Sequence, residues 1–401
     1  MKVGAYVAGY APEAGGGYTF EQDVLQALAE SMERTEHRFC MLCARTAVSG
    51  VRELIAGKAE VLEVPTDGPL GRLRAALERE SAAFRAHYRR PSGLDRAARA
   101  AGVDLLWFLG AGVHRTDLPY LTVVWDLQHR ATPWFPEMSA GGLWDQRELA
   151  QAWFLQRAAA VVTGTRAGQQ ELERYYQIPR ERTLLLPHPT PGFALRAADT
   201  MPDPQVPRRH GLEQPYLLYP AQLWPHKNHV NLLLALSIAR RRHGLPVSLA
   251  LVGSDKGSRA HLGRVAEAEG IADAVRFLGF VSRPDLVALY RHALALAYVS
   301  WCGPENLPPL EAFALGCPVI AGRITGAEEQ LGEAALLVDP GDPESIAEGI
   351  RNLHGDRQLA LRLAAAGRAR AKRWTAEDYV RGVLAFFDRF EPIARCWPAG
   401  G

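Results

Sequence analysis

Three short stretches put chemically useful side chains at the mouth of a helix. The first is WPHKNH (224–229), where Lys227 stands between His226 and His229, directly after the apolar run LLYPAQL and before VNLLLALSIARRR. Lys2, Lys58, Lys227, Lys256 and Lys372 are the only lysines in a chain that otherwise writes its cations as arginine. A compact ammonium at a helix entrance, where the dipole and unpaired N–H groups already favour negative charge, suits a phosphate oxygen. The two histidines lie three apart with no third ligand in view, so capping or surface roles are expected of them rather than metal ligation. The second stretch is GPENLPPLEAFALGCPVIAG (303–322). Pro308 and Pro309 near the first helical turn lack an N–H that would be unpaired anyway, which leaves the N–H groups of Asn306 and Leu307 to face an anion. Glu311 follows in the first or second turn, placed either to accept both hydroxyls of a ribose or to offset the helix dipole. The third is PEAGGGYTF (12–20), whose glycines allow close backbone approach and whose following helix offers free N–H groups. It is neither G-x-G-x-x-G nor a P-loop, and a plain tight turn explains it equally well.

Each stretch needs a strand before it and a helix after it. KVGAYVAGY, HRFCMLC, AEVLEVP, VDLLWFL, YLTVVWD, AAAVVTGT and TLLLPHP are short apolar runs separated by helical spacing such as LWDQRELAQAWFLQRA. The stretch 187–211 breaks this rhythm; it is proline-dense, without sustained period, and reads as a linker. The alternation then restarts with YLLYPAQ, VSLALVG, VRFLGF, LALAYVS, PVIAG and AALLVDP. Continuous apolar runs alternating with helices predict parallel strands with crossover helices. The economical parse is α/β: two Rossmann-like, doubly wound parallel-sheet domains facing a central cleft. The expected boundaries are 1–195 for the first, 196–375 for the second, and 376–401 for a C-terminal helix returning to the first. In such sheets ligands sit beyond the carboxyl ends of the strands.

Composition excludes several classes. The 401-residue chain exceeds the size at which one core keeps growing. A net charge of +2 gives no general field for nucleic acid. No apolar run reaches the ~18 residues of a bilayer span, and the N-terminal run is broken too early by Pro12 and Glu13 for a signal peptide, so a cytoplasmic location is expected. The arginine-rich tract FRAHYRRPSGLDRAARAAG (84–102) could meet an anionic acceptor or the inner membrane face, although a solvated helix face is the commoner explanation. Five scattered cysteines argue against a disulfide framework. Cys40 and Cys43, on a strand, read as small buried hydrophobes. Trp125, Trp134, Phe135, Trp144 and Trp153 enrich the N-terminal half in rings that stack on sugars or fill a core.

PAQLWPHKN, FLGFVS, GPENLPPLEAFALGCPVIA and GAEEQLGEAALLVDPGD together resemble the family 4 retaining glycosyltransferases of GT-B fold. The resemblance is dense over roughly 216–355 and thin before it. It implies a nucleoside-diphosphate sugar, a UDP- or GDP-sugar, bound by the C-terminal domain, and a saccharide, lipid-linked or small-molecule acceptor bound by the N-terminal one. By position it implies Lys227 against the donor diphosphate, Glu311 on the ribose, the amides of Asn306 and Leu307 on the phosphates, and Gly253, Phe280 and Val281 near the nucleobase. Gly15 and Gly16 match the family's N-terminal glycine loop. His129, in WDLQH with Asp126 supporting the loop, resembles the histidine that contacts the donor sugar. Neither a metal nor another cofactor is implied. Two departures stand out: the first of the family's two glutamates is Gly303 here, with Glu305 or a backbone group as the candidate replacement, and its arginine is Gln222. The implied activity is transfer of a sugar to an acceptor hydroxyl with retention at the anomeric carbon. The alternatives are a non-catalytic nucleotide-sugar binding protein, or an epimerase or phosphorylase on the same scaffold.

Overall fold

The computed structural model describes residues 1–12, 15–66, 68–81 and 91–396, excepting the side chains of 72, 75 and 78–80. Glu13 and Ala14 of the glycine stretch, and the first part of the arginine-rich tract (84–90), lie outside these residues. The chain divides into two units. The first holds Met1–Pro133, Met138–Pro187 and Ala376–Gly401, and the second holds Trp134–Glu137 and His188–Thr375.

The first unit is built on a seven-stranded sheet of β1 (Lys2–Val7), β2 (Arg38–Cys43), β3 (Glu60–Glu63), β4 (Leu105–Phe108), β5 (Tyr120–Val123), β6 (Ala160–Thr163) and β7 (Thr183–Leu185), in the order β3-β2-β1-β4-β5-β6-β7. The second carries six strands, β8 (Tyr216–Pro220), β9 (Ser248–Val252), β10 (Val275–Gly279), β11 (Ala295–Tyr298), β12 (Val319–Gly322) and β13 (Leu336–Val338), ordered β10-β9-β8-β11-β12-β13. Every ladder is parallel. A parallel sheet covered by crossover helices on both faces must be apolar on both, which is why the strands are continuous apolar runs rather than alternating ones. β4, β5, β6, β11 and β12 are accordingly buried along their whole length.

In both sheets the strand order reverses beside the first strand, between β1 and β4 and between β8 and β11. There two neighbouring loops leave in opposite directions and open a crevice. In the second sheet, Leu217 of β8 pairs with Ala295 of β11 and with Leu249 of β9, which sets the register of the loops beyond. The helix His229–Arg241 packs Leu232, Leu233, Leu236 and Ala239 into the core shared with Tyr216, Leu218, Phe313 and Ile320.

The stretch 187–211 is not a free linker. It contains the short helices Gly192–Ala197 and Val206–Arg209, and it buries Ala194 and Val206 in the second core. The helix Ala376–Ala394 belongs to the first unit. It buries Tyr379, Val380, Val383 and Phe387, with Tyr379 edge-on to Phe20 at 5.3 Å and Phe387 edge-on to Trp107 at 5.8 Å. Its Glu391 accepts from the N-terminal ammonium at 3.0 Å. Cys40 and Cys43 are fully buried in β2, and burial pushes their thiols up to about 11 and about 12. Among the described residues no helix is long and apolar enough to cross a membrane.

Candidate functional site

The loops after β8 and β11 meet at the reversal point of the second sheet. After β8 the chain turns through the 3-10 helix Pro225–Lys227, closed by Lys227 N–H on the Trp224 carbonyl at 3.0 Å. Asn228 then takes a left-handed conformation (φ 62°), and its buried side chain donates to the carbonyls of Val299 at 2.9 Å and Pro340 at 2.7 Å. A buried amide with both hydrogens used cannot swing freely, so the next residue back, Lys227, leaves the helix mouth in a defined direction. Its Nζ donates to the Tyr298 hydroxyl at 2.8 Å and lies 5.2 Å from that ring's centroid. Among the described residues no carboxylate pairs with it.

Tyr298 is the last residue of β11 and is 5% exposed. Its hydroxyl donates onward to Asn306 Oδ1 at 2.9 Å, and Asn306 Nδ2 donates to the Gly303 carbonyl at 2.9 Å. Gly303 has φ 109°, a conformation L side chains rarely adopt, and a Cβ there would sit 3.0 Å from the Asn306 amide.

The helix Leu307–Leu315 starts at Asn306 and ends at Gly316 in the left-handed region (φ 71°). The expectation that both Asn306 and Leu307 offer amides to an anion needs correcting. Asn306 N–H donates to Gln330 Oε1 at 3.0 Å, and Gln330 Nε2 returns a bond to the Asn306 carbonyl at 2.9 Å. This leaves Leu307 N–H without a partner among the described residues, with two prolines behind it. Glu311, in the second turn, is 8% exposed and one of its oxygens accepts from Tyr290 at 2.7 Å. Burial, with the Glu311 charge adding, raises the Tyr290 hydroxyl well above its ordinary range, so the phenol keeps its proton for this bond.

Glu305 is committed elsewhere. One oxygen accepts from His188 N–H at 2.7 Å and the other meets His188 Nδ1 at 2.6 Å. Of the capping or surface roles expected for the two histidines beside Lys227, the surface role fails: neither is exposed. Glu137 Oε1 takes both the His226 N–H at 2.9 Å and its Nδ1 at 2.5 Å. His229 is 3% exposed, and burial, reinforced by the Lys227 and His226 charges, lowers its pKa to about 3. It is therefore neutral and adds no charge to the site.

The remaining positions surround the same loops. Gln222 Oε1 accepts from Trp224 Nε1 at 2.7 Å. Gly253 (φ 142°) passes so close to the end of β8 that a Cβ would lie 2.4 Å from the Ala221 carbonyl oxygen. After β10, Phe280 is 69% exposed while Val281 is buried.

The first unit has its own reversal point. Gly15 (φ 69°) caps the helix Gly16–Ser31; its N–H donates to the Pro12 carbonyl at 3.0 Å, and Gly16 is exposed. The amides that leave β1 are occupied: Ala8, Gly9 and Tyr10 N–H donate to the Glu21 carboxylate at 2.7, 2.9 and 3.3 Å. Nearby is a cavity of about 300 Å³ lined by Tyr10, Thr122, Trp125, Asp126, Arg147 and Gln151 among others. Thr122 Oγ1 and Gln151 Oε1 are buried there without a partner among the described residues. His129 also reaches this cavity, but it is 1% exposed and its Nε2 is held by Tyr176 at 2.8 Å. Tyr176 in turn donates to Glu148, which pairs with Arg130.

Tyr298, Tyr290, Gln330, His188 and Glu137 carry the organisation of these loops and were not singled out in sequence. Only Tyr298 had a local signal, a hydroxyl-bearing ring at the end of an apolar strand run. Among the described residues no group of three or more His, Cys, Asp or Glu side chains could hold a metal ion.

Known proteins resemble this chain in sequence and in fold. Residues 204–370 match the family model for glycosyl transferases group 1. The chain is 29% identical to the O-antigen chain mannosyltransferase B of Escherichia coli over 56% of its own length and 59% of that protein's. It is 33% identical to the GDP-mannose-dependent alpha-(1-6)-phosphatidylinositol monomannoside mannosyltransferase of Mycobacterium tuberculosis (strain ATCC 25618 / H37Rv), over 48% of its length and 54% of that protein's. The chain thus spans about half the length of the curated relatives it matches. Among solved structures, that of Anabaena HepE in complex with UDP and glucose superposes with a TM-score of 0.68 at 20% identity, covering 97% of this chain and 100% of the other. It is through residues 204–370 that the chain resembles the glycosyl transferases group 1 family.

Proposed function

We propose that the protein transfers a sugar from a nucleoside-diphosphate donor to an acceptor hydroxyl, with retention at the anomeric carbon, and that the second unit holds the donor. The observation that carries this reading is Lys227: a half-buried ammonium at a helix mouth, at a sheet reversal point, with no carboxylate partner among the described residues. Such a charge is compensated when a diphosphate binds. The Leu307 amide at the opposite helix start adds a second donor for the phosphates. Glu311, steadied by Tyr290, receives the ribose hydroxyls. Gly253, Phe280 and Val281 line the base, with Gln222 at the edge.

Charge builds on the departing diphosphate as the glycosidic bond breaks, so fixed donors aimed there lower the barrier more than they tighten donor binding. Lys227 supplies that charge from the chain itself, and activity is expected to survive EDTA. The donor is a GDP- or UDP-sugar, a choice supported by the GDP-mannose-dependent relative and by the UDP and glucose complex of HepE. The acceptor belongs to the first unit, where Thr122 and Gln151 atoms without a partner among the described residues, beside aromatic rings, suit a hydroxylated ring.

The test begins with calorimetric binding of UDP and GDP, followed by product analysis with UDP-glucose and GDP-mannose against a sugar and lipid acceptor panel. Transfer that requires a second hydroxyl compound supports the reading. Conversion of donor alone identifies an epimerase, and binding without turnover identifies a non-catalytic module.

A further inference from the structure

In this chain Gly303 carries no carboxylate and Glu305 is taken up by His188, so among the described residues no acidic side chain holds the lysine. A four-carbon ammonium left alone would wander over many rotamers, yet Lys227 has one defined partner. That partner is neutral. The bonds run in a single direction: Lys227 Nζ donates to Tyr298 Oη, Tyr298 donates to Asn306 Oδ1, and Asn306 Nδ2 donates to the Gly303 carbonyl. The carbonyl at the far end fixes the orientation of the Asn306 amide, because only its nitrogen can donate there. An amide so oriented presents only its oxygen to Tyr298, and a phenol whose proton is used in that way presents only its lone pair to the lysine. Chains aligned in this way polarise one another and strengthen.

Gly303 is part of the device. With φ at 109° and the Asn306 amide 3.0 Å from where a Cβ would stand, the position leaves its space to the amide. Tyr298 is 5% exposed and its ring packs edge-on against Tyr219 at 5.2 Å, which fixes the direction of the phenol.

We propose that Tyr298, backed by Asn306, is the positioning residue for Lys227: a neutral tether that aims the ammonium at the donor diphosphate without cancelling its charge. A carboxylate in the same place would aim the lysine equally well but would neutralise it before the phosphates arrive. The proposal rests on the donor reading above and adds to it a residue that touches no substrate and acts through Lys227.

The test uses the full chain with Tyr298→Phe, Asn306→Ala and Lys227→Ala. Affinities for UDP, UMP, GDP and GMP are measured by calorimetry, alongside melting temperatures and NMR of [13Cε]lysine-labelled protein. With five lysines the spectrum holds five signals, and Lys227→Ala identifies the relevant one. Tyr298→Phe keeps the ring and its packing, so the melting temperature should hold. Loss of one bond to a charged group should weaken diphosphate binding about tenfold, with monophosphate binding unchanged. The Lys227 ε-methylene protons, inequivalent while the ammonium is held, should merge as it becomes mobile. Asn306→Ala should do the same to a smaller degree, and it serves as the second probe if Tyr298→Phe folds poorly.

Unchanged diphosphate affinity in both variants, with Lys227→Ala impaired, overturns the tether and leaves the donor reading standing. Equal loss for mono- and diphosphates makes Tyr298 structural and also overturns it. A wild-type chain that binds neither UDP nor GDP overturns tether and donor reading together.

Discussion

The loop after β1 and the loop after β8 have the same address, each following the first strand of a parallel sheet where the strand order reverses. They handle charge in opposite ways. After β1, the N–H groups of Ala8, Gly9 and Tyr10 turn inward onto Glu21, a carboxylate with no solvent exposure. Burial raises the pKa of Glu21 while the three N–H bonds lower it, so the protein itself fills a cradle that would otherwise receive an anion. After β8 the backbone N–H groups are also taken, Lys227 and Asn228 by carbonyls of the loop, Leu223 by Ser254 and His226 by Glu137, but a cation with no carboxylate partner among the described residues extends from it. A glycine-rich turn at a helix start is thus an anion site only if its donors remain available. Topology selects the place, and the charge balance of each loop decides whether a ligand is wanted there.

The strongest way to break this comparison is Lys227→Ala. If the cation of the second loop is functional and not structural, turnover should fall by about 10²–10³-fold, the usual loss for one donor aimed at developing charge. The melting temperature should be unchanged, since Lys227 makes no ion pair among the described residues. The converse substitution is Glu21→Gln. Its amide nitrogen would face an N–H it cannot accept from, and one or two buried amides would lose their acceptor, costing about 1–3 kcal/mol of stability. Chemical denaturation should show that loss while UDP or GDP affinity stays as in the wild type. Turnover lost in Glu21→Gln in proportion to Lys227→Ala would make the two loops equivalent and end the contrast.

A third substitution asks whether the departure at Gly303 is a deficit or a design. Restoring a carboxylate by Gly303→Glu forces a side chain onto φ 109° and into the Asn306 amide. Strain of about 1–3 kcal/mol is expected at such a position. Diphosphate binding should weaken, not improve, as the tether to Lys227 is displaced. Improved turnover would show that the acidic residue was missing in function as well as in sequence.

The strands of both sheets were legible because each is a short continuous apolar run, and the alternation with helices allowed only parallel crossovers. The loops bearing Lys227 and Glu311 were legible as helix mouths after strands. What was not legible is who satisfies whom. His188 and Glu305 are 117 residues apart, and Glu137 and His226 are 89 apart. Such pairs form because a buried polar group must find some partner, and sequence spacing carries no trace of which. The same holds for Gln330, which takes the Asn306 amide that local reasoning left open, and for Glu21, whose helix position looks solvated until three amides converge on it. The stretch 187–211 misled for a different reason: prolines and short helices hide the periodicity by which Ala194 and Val206 reach the core.

The smallest effect concerns a second carboxyl of the first unit. Glu171, on the helix Arg166–Tyr176, has its pKa raised from the ordinary 4.5 to about 7, first by burial and then by the negative charge of Asp126. The folded chain therefore holds a proton that the unfolded chain releases between those values. Its contribution to stability is present in full below pH 4.5 and is lost as pH rises through about 7. Glu171→Gln carries no ionising group, so the wild type should lose about 2–4 °C in melting temperature relative to the variant between pH 5 and pH 8. Diphosphate affinity should be the same for both at each pH, since the charge that matters there belongs to the other loop. A wild-type curve parallel to that of Glu171→Gln would place the carboxyl in water, and a pH-dependent difference in affinity would assign Glu171 to the ligand.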